Sequence, residues 1–201
     1  MLLRIIAIIF PIFAIVAVGY AYARVRKPDM AFANQLNMDI FVPALVFAAL
    51  ASKDFDLLAN WKLALGALVV VVGSGLLSWP VAKLMKVPAN TLLPPMMFNN
   101  SGNMGLPLMV LAFGEQALPL AVVLFFVENT LHYSLGTWML DHHAKLWNLW
   151  RVPVIAAAIA GLAVSLLRIE LWVPLYIGIK MLGDVSIPLL LFSLGVRLTD
   201  S

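Results

Sequence analysis

The sequence predicts an all-α polytopic membrane protein with about seven transmembrane helices, and three observations carry that prediction. Of its 201 residues, 63% are hydrophobic and 11% charged, against roughly 25% charged in an ordinary soluble domain, and the mean hydropathy is +1.00. Apolar runs recur at or near the length of about 20 residues that crosses the hydrocarbon core at 1.5 Å per residue. One of these runs, Thr91 to Phe113, is broken at its centre by Asn99, Asn100, Gly102, Asn103, Gly105 and Pro107.

Taken in order, the runs fall at 2–23, 33–51, 61–84, 91–113, 117–140, 152–168 and 172–197. The first resembles a signal peptide, with Ala21-Tyr22-Ala23 at its end, but Arg24, Arg26 and Lys27 follow at once, as in a helix retained on the cytoplasmic side. The connections are short and polar, and none is long enough for a soluble domain, so residues 1–201 read as a single membrane domain. The net charge of +3 comes from residues between the apolar runs, with no basic stretch of the kind that binds nucleic acid. The absence of cysteine excludes disulfides, thiolate metal sites and thiol nucleophiles.

Lys and Arg distribute unequally between the two sides. Arg24, Arg26, Lys27, Lys83, Lys86, Lys145, Arg151 and Arg197 follow odd-numbered segments, against Arg4, Lys53, Lys62 and Arg168 on the other side. The positive-inside rule then predicts an outside N-terminus and an inside C-terminus for this chain. Asp39, Pro43, Leu45 and Phe47 also recur as Asp184, Pro188, Leu190 and Phe192 at a constant offset of 145. Segments 2 and 7 cross in opposite directions, so a repeat relating them is an inverted five-helix unit, as in many secondary transporters. Residues 1–140 form the first unit and 152–201 two helices of a second, incomplete one. The same offset carries Asn100 to about position 245, past Ser201, so the chain reads as C-terminally truncated relative to a full pair of repeats.

The run Asn100-Ser101-Gly102-Asn103-Met104-Gly105-Leu106-Pro107-Leu108 resembles the N-x-G-N-x-G-L-P-L motif of the auxin efflux carrier family, whose prokaryotic members include permeases for malonate, malate and similar organic anions. Leu36-Asn37 with Pro43-Ala44-Leu45, and Ser186-Ile187-Pro188 with Leu194-Gly195, extend the resemblance over essentially the whole chain. It implies ten helices in two inverted repeats, a fourth helix broken where it crosses its counterpart, a dimerising scaffold of helices 1, 2, 6 and 7, and an anion-binding Asn at the position of Asn100. The chain departs from that pattern by ending before helix 8.

Irregular backbone survives in a bilayer core only where it lines a protected cavity, because an unpaired backbone group there costs several kcal/mol. Asn99, Asn100 and Asn103 offer amide donors without a charge, suited to a carboxylate that must be bound and released; the alternative is an interhelical hydrogen bond or a cap. Gly102 and Gly105 allow close approach, and Pro107 suits the first turn of a second half-helix. Glu128, with Asn129 beside it and His132 one turn on, is a candidate for reversible protonation, against the alternative of a hydrogen-bonded tie between helices. Asp39 and Asp184 read either as caps at a proline-weakened turn or as ion-coupling groups, and Lys180 as a side chain that snorkels or pairs with Asp184 at i+4. Asp141-His142-His143 reads as a solvated loop with no matching second cluster, and no metal or cofactor is expected. Trp138, Trp147, Trp150 and Trp172 fit an interfacial belt.

These readings predict a secondary carrier for a small organic anion such as a dicarboxylate, coupled to H+ or Na+ or acting alone. It would sit as a homodimer in the cytoplasmic (plasma or inner) membrane. The competing reading is a truncated or non-transporting membrane subunit whose scaffold helices still dimerise. An intramembrane enzyme is disfavoured, since neither H-E-x-x-H nor G-x-S-x-G occurs.

Overall fold

A computed structural model describes residues 2–52, 57–140 and 151–199, apart from the side chains of 2–5, 8, 57–59 and 103. Asp141, His142, His143, Lys145, Trp147, Trp150 and Lys53, and the side chains of Arg4 and Asn103, therefore lie outside the described residues. All regular structure among the described residues is helical. Helix α1 is Leu2–Arg26, α2 is Ala31–Leu50, α3 is Leu57–Met85 and α6 is Pro153–Leu166. The fourth segment is two pieces, α4a (Ala89–Met97) and α4b (Leu106–Phe113). Helix α5 runs from Leu118 to Leu140, and α7 occupies Val173–Arg197.

The seven expected segments are all present, displaced by a few residues at their ends. Five are long and apolar enough to cross a membrane; α6 has 14 residues, and α4 is broken into two short pieces. Large apolar side chains point outward along them, including Phe10, Leu77 and Leu84, the last 85% exposed. A water-soluble monomer rarely presents such a surface, whereas acyl chains cover it without cost.

Two helices bend where the sequence places proline. Pro43 has no N–H to offer the carbonyl of Asp39, and the turn before it widens to a π turn over Asn37–Phe41, closed by the Val42 N–H on the Asn37 carbonyl. Pro188 likewise withholds a donor from Asp184, and α7 is interrupted at Val185 between Val173–Asp184 and Ser186–Arg197. The expected carboxylate caps are absent at both bends, since neither helix restart carries a side-chain cap. Asp184 instead pairs with Lys180 at 3.1 Å, both half-exposed, and Asp39 is exposed.

Contacts divide the helices into two groups. Helices α1, α2, α6 and α7 pack on one another, with α1 against α7 and α6 against α2; α3 packs on α4a and α5. The main core lies where α2 is held between α5 and α6, around Val46, Leu50, Val122, Ile155 and Ala158. In lipid the helices gain little from apolar burial alone, so contact depends on close backbone approach. A Cβ on Gly195 would strike the Val16 carbonyl of α1, one on Gly19 the Phe192 carbonyl of α7, and one on Gly183 would meet the Leu45 backbone of α2 at 2.6 Å. Polar bonds pin α2 to α7 in antiparallel fashion: the Ser193 hydroxyl donates to Asn34 Oδ1 at 2.6 Å, and the Tyr176 hydroxyl donates to the Ala48 carbonyl at 3.1 Å.

Gly195→Ala should therefore lower the stability of the detergent-solubilised protein by about 1–3 kcal/mol through overpacking. Gly73→Ala, where a Cβ has nothing within 4 Å, should leave stability unchanged or slightly raised; thermal unfolding followed by size-exclusion chromatography compares the two.

Candidate substrate site at the broken fourth helix

Pro94 and Pro95 sit inside α4a, which therefore enters the break with two backbone donors missing. Its last residue is Met97; the Phe98 N–H still donates to the Pro94 carbonyl at 3.0 Å, and Phe98 itself turns extended at φ −110°, ψ 120°. The chain restarts through a π turn over Ser101–Gly105, where the Asn100 carbonyl accepts from the Met104 and Gly105 N–H groups at 3.1 and 3.2 Å. Pro107 lies in the first turn of α4b, where its missing N–H costs nothing.

Two contacts one helical turn apart on α5 fix the break. The Asn99 N–H donates to Glu128 Oε1 at 2.6 Å. The Phe98 ring stacks on His132 with centroids 4.7 Å apart and planes 10° from parallel, and its edge fills the space that a Cβ on Gly136 would need. Glu128 is buried, whereas Asn99, Asn100 and His132 are exposed at the break. Gly102 is required by a close neighbour, because a Cβ there would lie 2.9 Å from the Phe125 ring; Gly105 is not, its nearest contact being ordinary van der Waals distance.

Asn99 and Glu128 form part of the wall of two cavities. One, about 200 Å³, is shared with Met38 and Val42 of α2 and Ser186 and Leu190 of α7, and includes Asn100, Ser101 and His132. The other, about 520 Å³, opens toward Lys62, Gly66 and Val70 of α3. The smaller cavity brings together the expected Asn99, Asn100, Gly102, Glu128 and His132. Asp39 does not line it. Asp184 lies instead with Lys180 and Glu115 on a separate cavity of about 710 Å³ near the α4b–α5 corner. No group of three His, Cys, Asp or Glu suited to a metal occurs among the described residues.

Sequence reasoning missed Phe98, Phe125, Asn37 and Ser186. The Ser186 hydroxyl and the Asn37 amide are fully buried and have no hydrogen-bond partner among the described residues. Asn37 and Ser186 belong to the runs that carry the family resemblance, which gives neither of them a role; the packing of α2 against α7 shows both to be buried. Asn129 spends an amide donor on the Phe125 carbonyl of its own helix at 2.9 Å.

The sequence profile of a family described as membrane transport protein matches residues 4–146. A protein of Rhizobium meliloti (strain 1021) named "Putative malonate transporter" is 26% identical over 216 residues, covering 97% of this chain and 67% of its own length. No solved structure matches the chain.

Replacing Glu128 by Leu removes the acceptor of the Asn99 N–H and should destabilise the protein by about 1–3 kcal/mol, the cost of a buried unpaired donor. Glu128→Gln keeps a carbonyl oxygen there and should lose less; comparative thermal unfolding of the two variants checks the order.

Proposed function

This chain belongs to the auxin efflux carrier family of membrane transport proteins, and we propose that its broken α4 is the substrate site of a secondary carrier for a small organic anion such as a dicarboxylate. The single observation that carries the reading is the cavity of about 200 Å³ at the break, bounded by α4 and α5 on one side and by α2 and α7 on the other, with Asn99, Asn100 and Ser101 in its wall. Asn99, Asn100 and Asn103 offer amides to a carboxylate, Gly102 admits Phe125 beside the backbone, and Pro107 starts the second half-helix. Neutral donors bind an anion in a low-dielectric site without trapping it as a buried cation would.

The division of helices supports alternating access. Helices α1, α2, α6 and α7 form the scaffold and α3 to α5 the moving part, so a site walled by both groups changes its exposure when one slides on the other. The reciprocal packing of α1 on α7 and α6 on α2, with the bends before Pro43 and Pro188, supports a first repeat at 1–140 and a second beginning at 152–201. The Lys and Arg bias favours an outside N-terminus and an inside C-terminus in a cytoplasmic membrane. The scaffold is the candidate homodimer surface. Coupling to H+ or Na+ would use Glu128, His132, Asp39 or Asp184, of which the first two lie at the break. Malonate is the first substrate to test, given the name of the Rhizobium meliloti relative.

Asn100→Ala in the complete gene product should reduce malonate uptake into proteoliposomes to background while leaving expression and thermal stability near wild type. Uptake at the wild-type rate would refute the site assignment.

A further inference from the structure

The Asn99 N–H at the break is already occupied by a carboxylate belonging to the protein itself, Glu128 Oε1 at 2.6 Å. We infer that Glu128 is a proton-binding site at the substrate cavity, and that a dicarboxylate enters the cavity only together with a proton taken up by Glu128. The inference rests on the reading that the break binds a carboxylate, and it adds the proton.

The charge inventory around Glu128 drives the argument. An ionised carboxylate is acceptor-only; the protonated acid offers one O–H donor and keeps an accepting carbonyl. In the smaller cavity Glu128 shares its walls with amides and hydroxyls, and no Lys or Arg lines it among the described residues. The titratable groups that face Glu128 are His132, one turn along α5, and Lys62 of α3 across the larger cavity. Helices α2, α4 and α7 contribute no titratable side chain to either cavity among the described residues.

His132 has its ring stacked between Phe98 and Tyr133 and is exposed. Lys62 is exposed at the start of α3 and lies outside the smaller cavity. A dianion in the smaller cavity beside ionised Glu128 would therefore meet a like charge with no lysine or arginine among that cavity's described lining to offset it, at low dielectric where such repulsion is large. Protonation removes the repulsion and gives Glu128 an O–H donor for the substrate carboxylate, while its carbonyl oxygen can keep the Asn99 N–H. The proton passes from water to a Glu128 oxygen and is carried there while the anion is bound. A dianion and one proton then move together with one net negative charge.

The test is calorimetric titration of malonate into the complete, purified gene product at about pH 8 in two buffers of different ionisation enthalpy, which reads protons taken up per anion bound. Wild type should take up about one proton per malonate, with affinity falling toward tenfold per pH unit above neutrality. Glu128→Gln, a permanent mimic of the neutral acid, should bind malonate with about zero proton uptake and an affinity changing by less than about twofold between pH 6 and 8.

Equal uptake in wild type and Glu128→Gln would overturn the inference. Should Glu128→Gln fail to fold, wild-type binding without proton uptake overturns it alone. Failure of the underlying site reading looks different: either wild type binds no malonate, or Asn100→Ala binds it at wild-type affinity, and the inference falls with it.

Discussion

The 2.6 Å hydrogen bond from the Asn99 N–H to Glu128 Oε1 is the interaction on which the arrangement at the break depends. A helix interrupted in a hydrocarbon environment exposes donors and acceptors that water cannot satisfy, and the break persists because its neighbours answer them. Glu128 accepts the first free N–H, the Phe98 ring lies on His132 one turn further along the same helix, and the Asn100 carbonyl collects the two donors that restart the chain. Without α5 the α4a–α4b junction would have neither its acceptor nor its stacking partner. The gap between the half-helices is thus a built feature of two helices, and the cavity beside it follows from their joint geometry.

That construction stands against a frame made by close approach. Glycines at 19, 183 and 195 let α7 sit directly on the backbones of α1 and α2, and the Ser193 and Tyr176 hydroxyls tie α7 to α2 near both ends. The prolines at 43 and 188 bend α2 and α7 within the same region, where Met38 and Ser186 reach the cavity. The α2–α7 frame on one side and a broken helix on the other place polar groups, from the buried Ser186 to the exposed Asn99 and Asn100, around a space of about 200 Å³. The fully buried, unpartnered Ser186 hydroxyl is an unspent donor at that wall, and unsatisfied groups of this kind mark sites where a ligand or water completes the bonding.

Much of this was legible in the sequence because the strongest constraints are local or compositional. Apolar length gave the seven segments, and the Asn, Gly and Pro residues between Asn99 and Pro107 gave the break, since no uninterrupted membrane helix tolerates that run. Glu128 and His132 stood out as polar residues one turn apart in an apolar helix. What the sequence withheld was partnership: nothing in it says that Glu128 meets a backbone N–H 29 positions earlier, or that Phe98 rather than an Asn seats the break on α5. The expectation that Asp39 and Asp184 cap the bends failed for a related reason. A proline predicts the weakened turn, but the turn was relieved by a π turn in α2 and by an interruption at Val185 in α7, and Asp184 found Lys180 instead.

The claim that the α4 break is a water-accessible anion site within the membrane domain can be tested directly, because these 201 residues contain no cysteine. Ser101→Cys, at the wall of the same cavity, should react in otherwise unaltered protein with a charged, membrane-impermeant methanethiosulfonate reagent in sealed vesicles, and malonate should slow that reaction. Leu77→Cys, on the outward apolar face of α3, should stay unreactive. A Ser101→Cys thiol that is inert from both sides of the membrane, or that reacts at a rate no dicarboxylate alters, would contradict the claim.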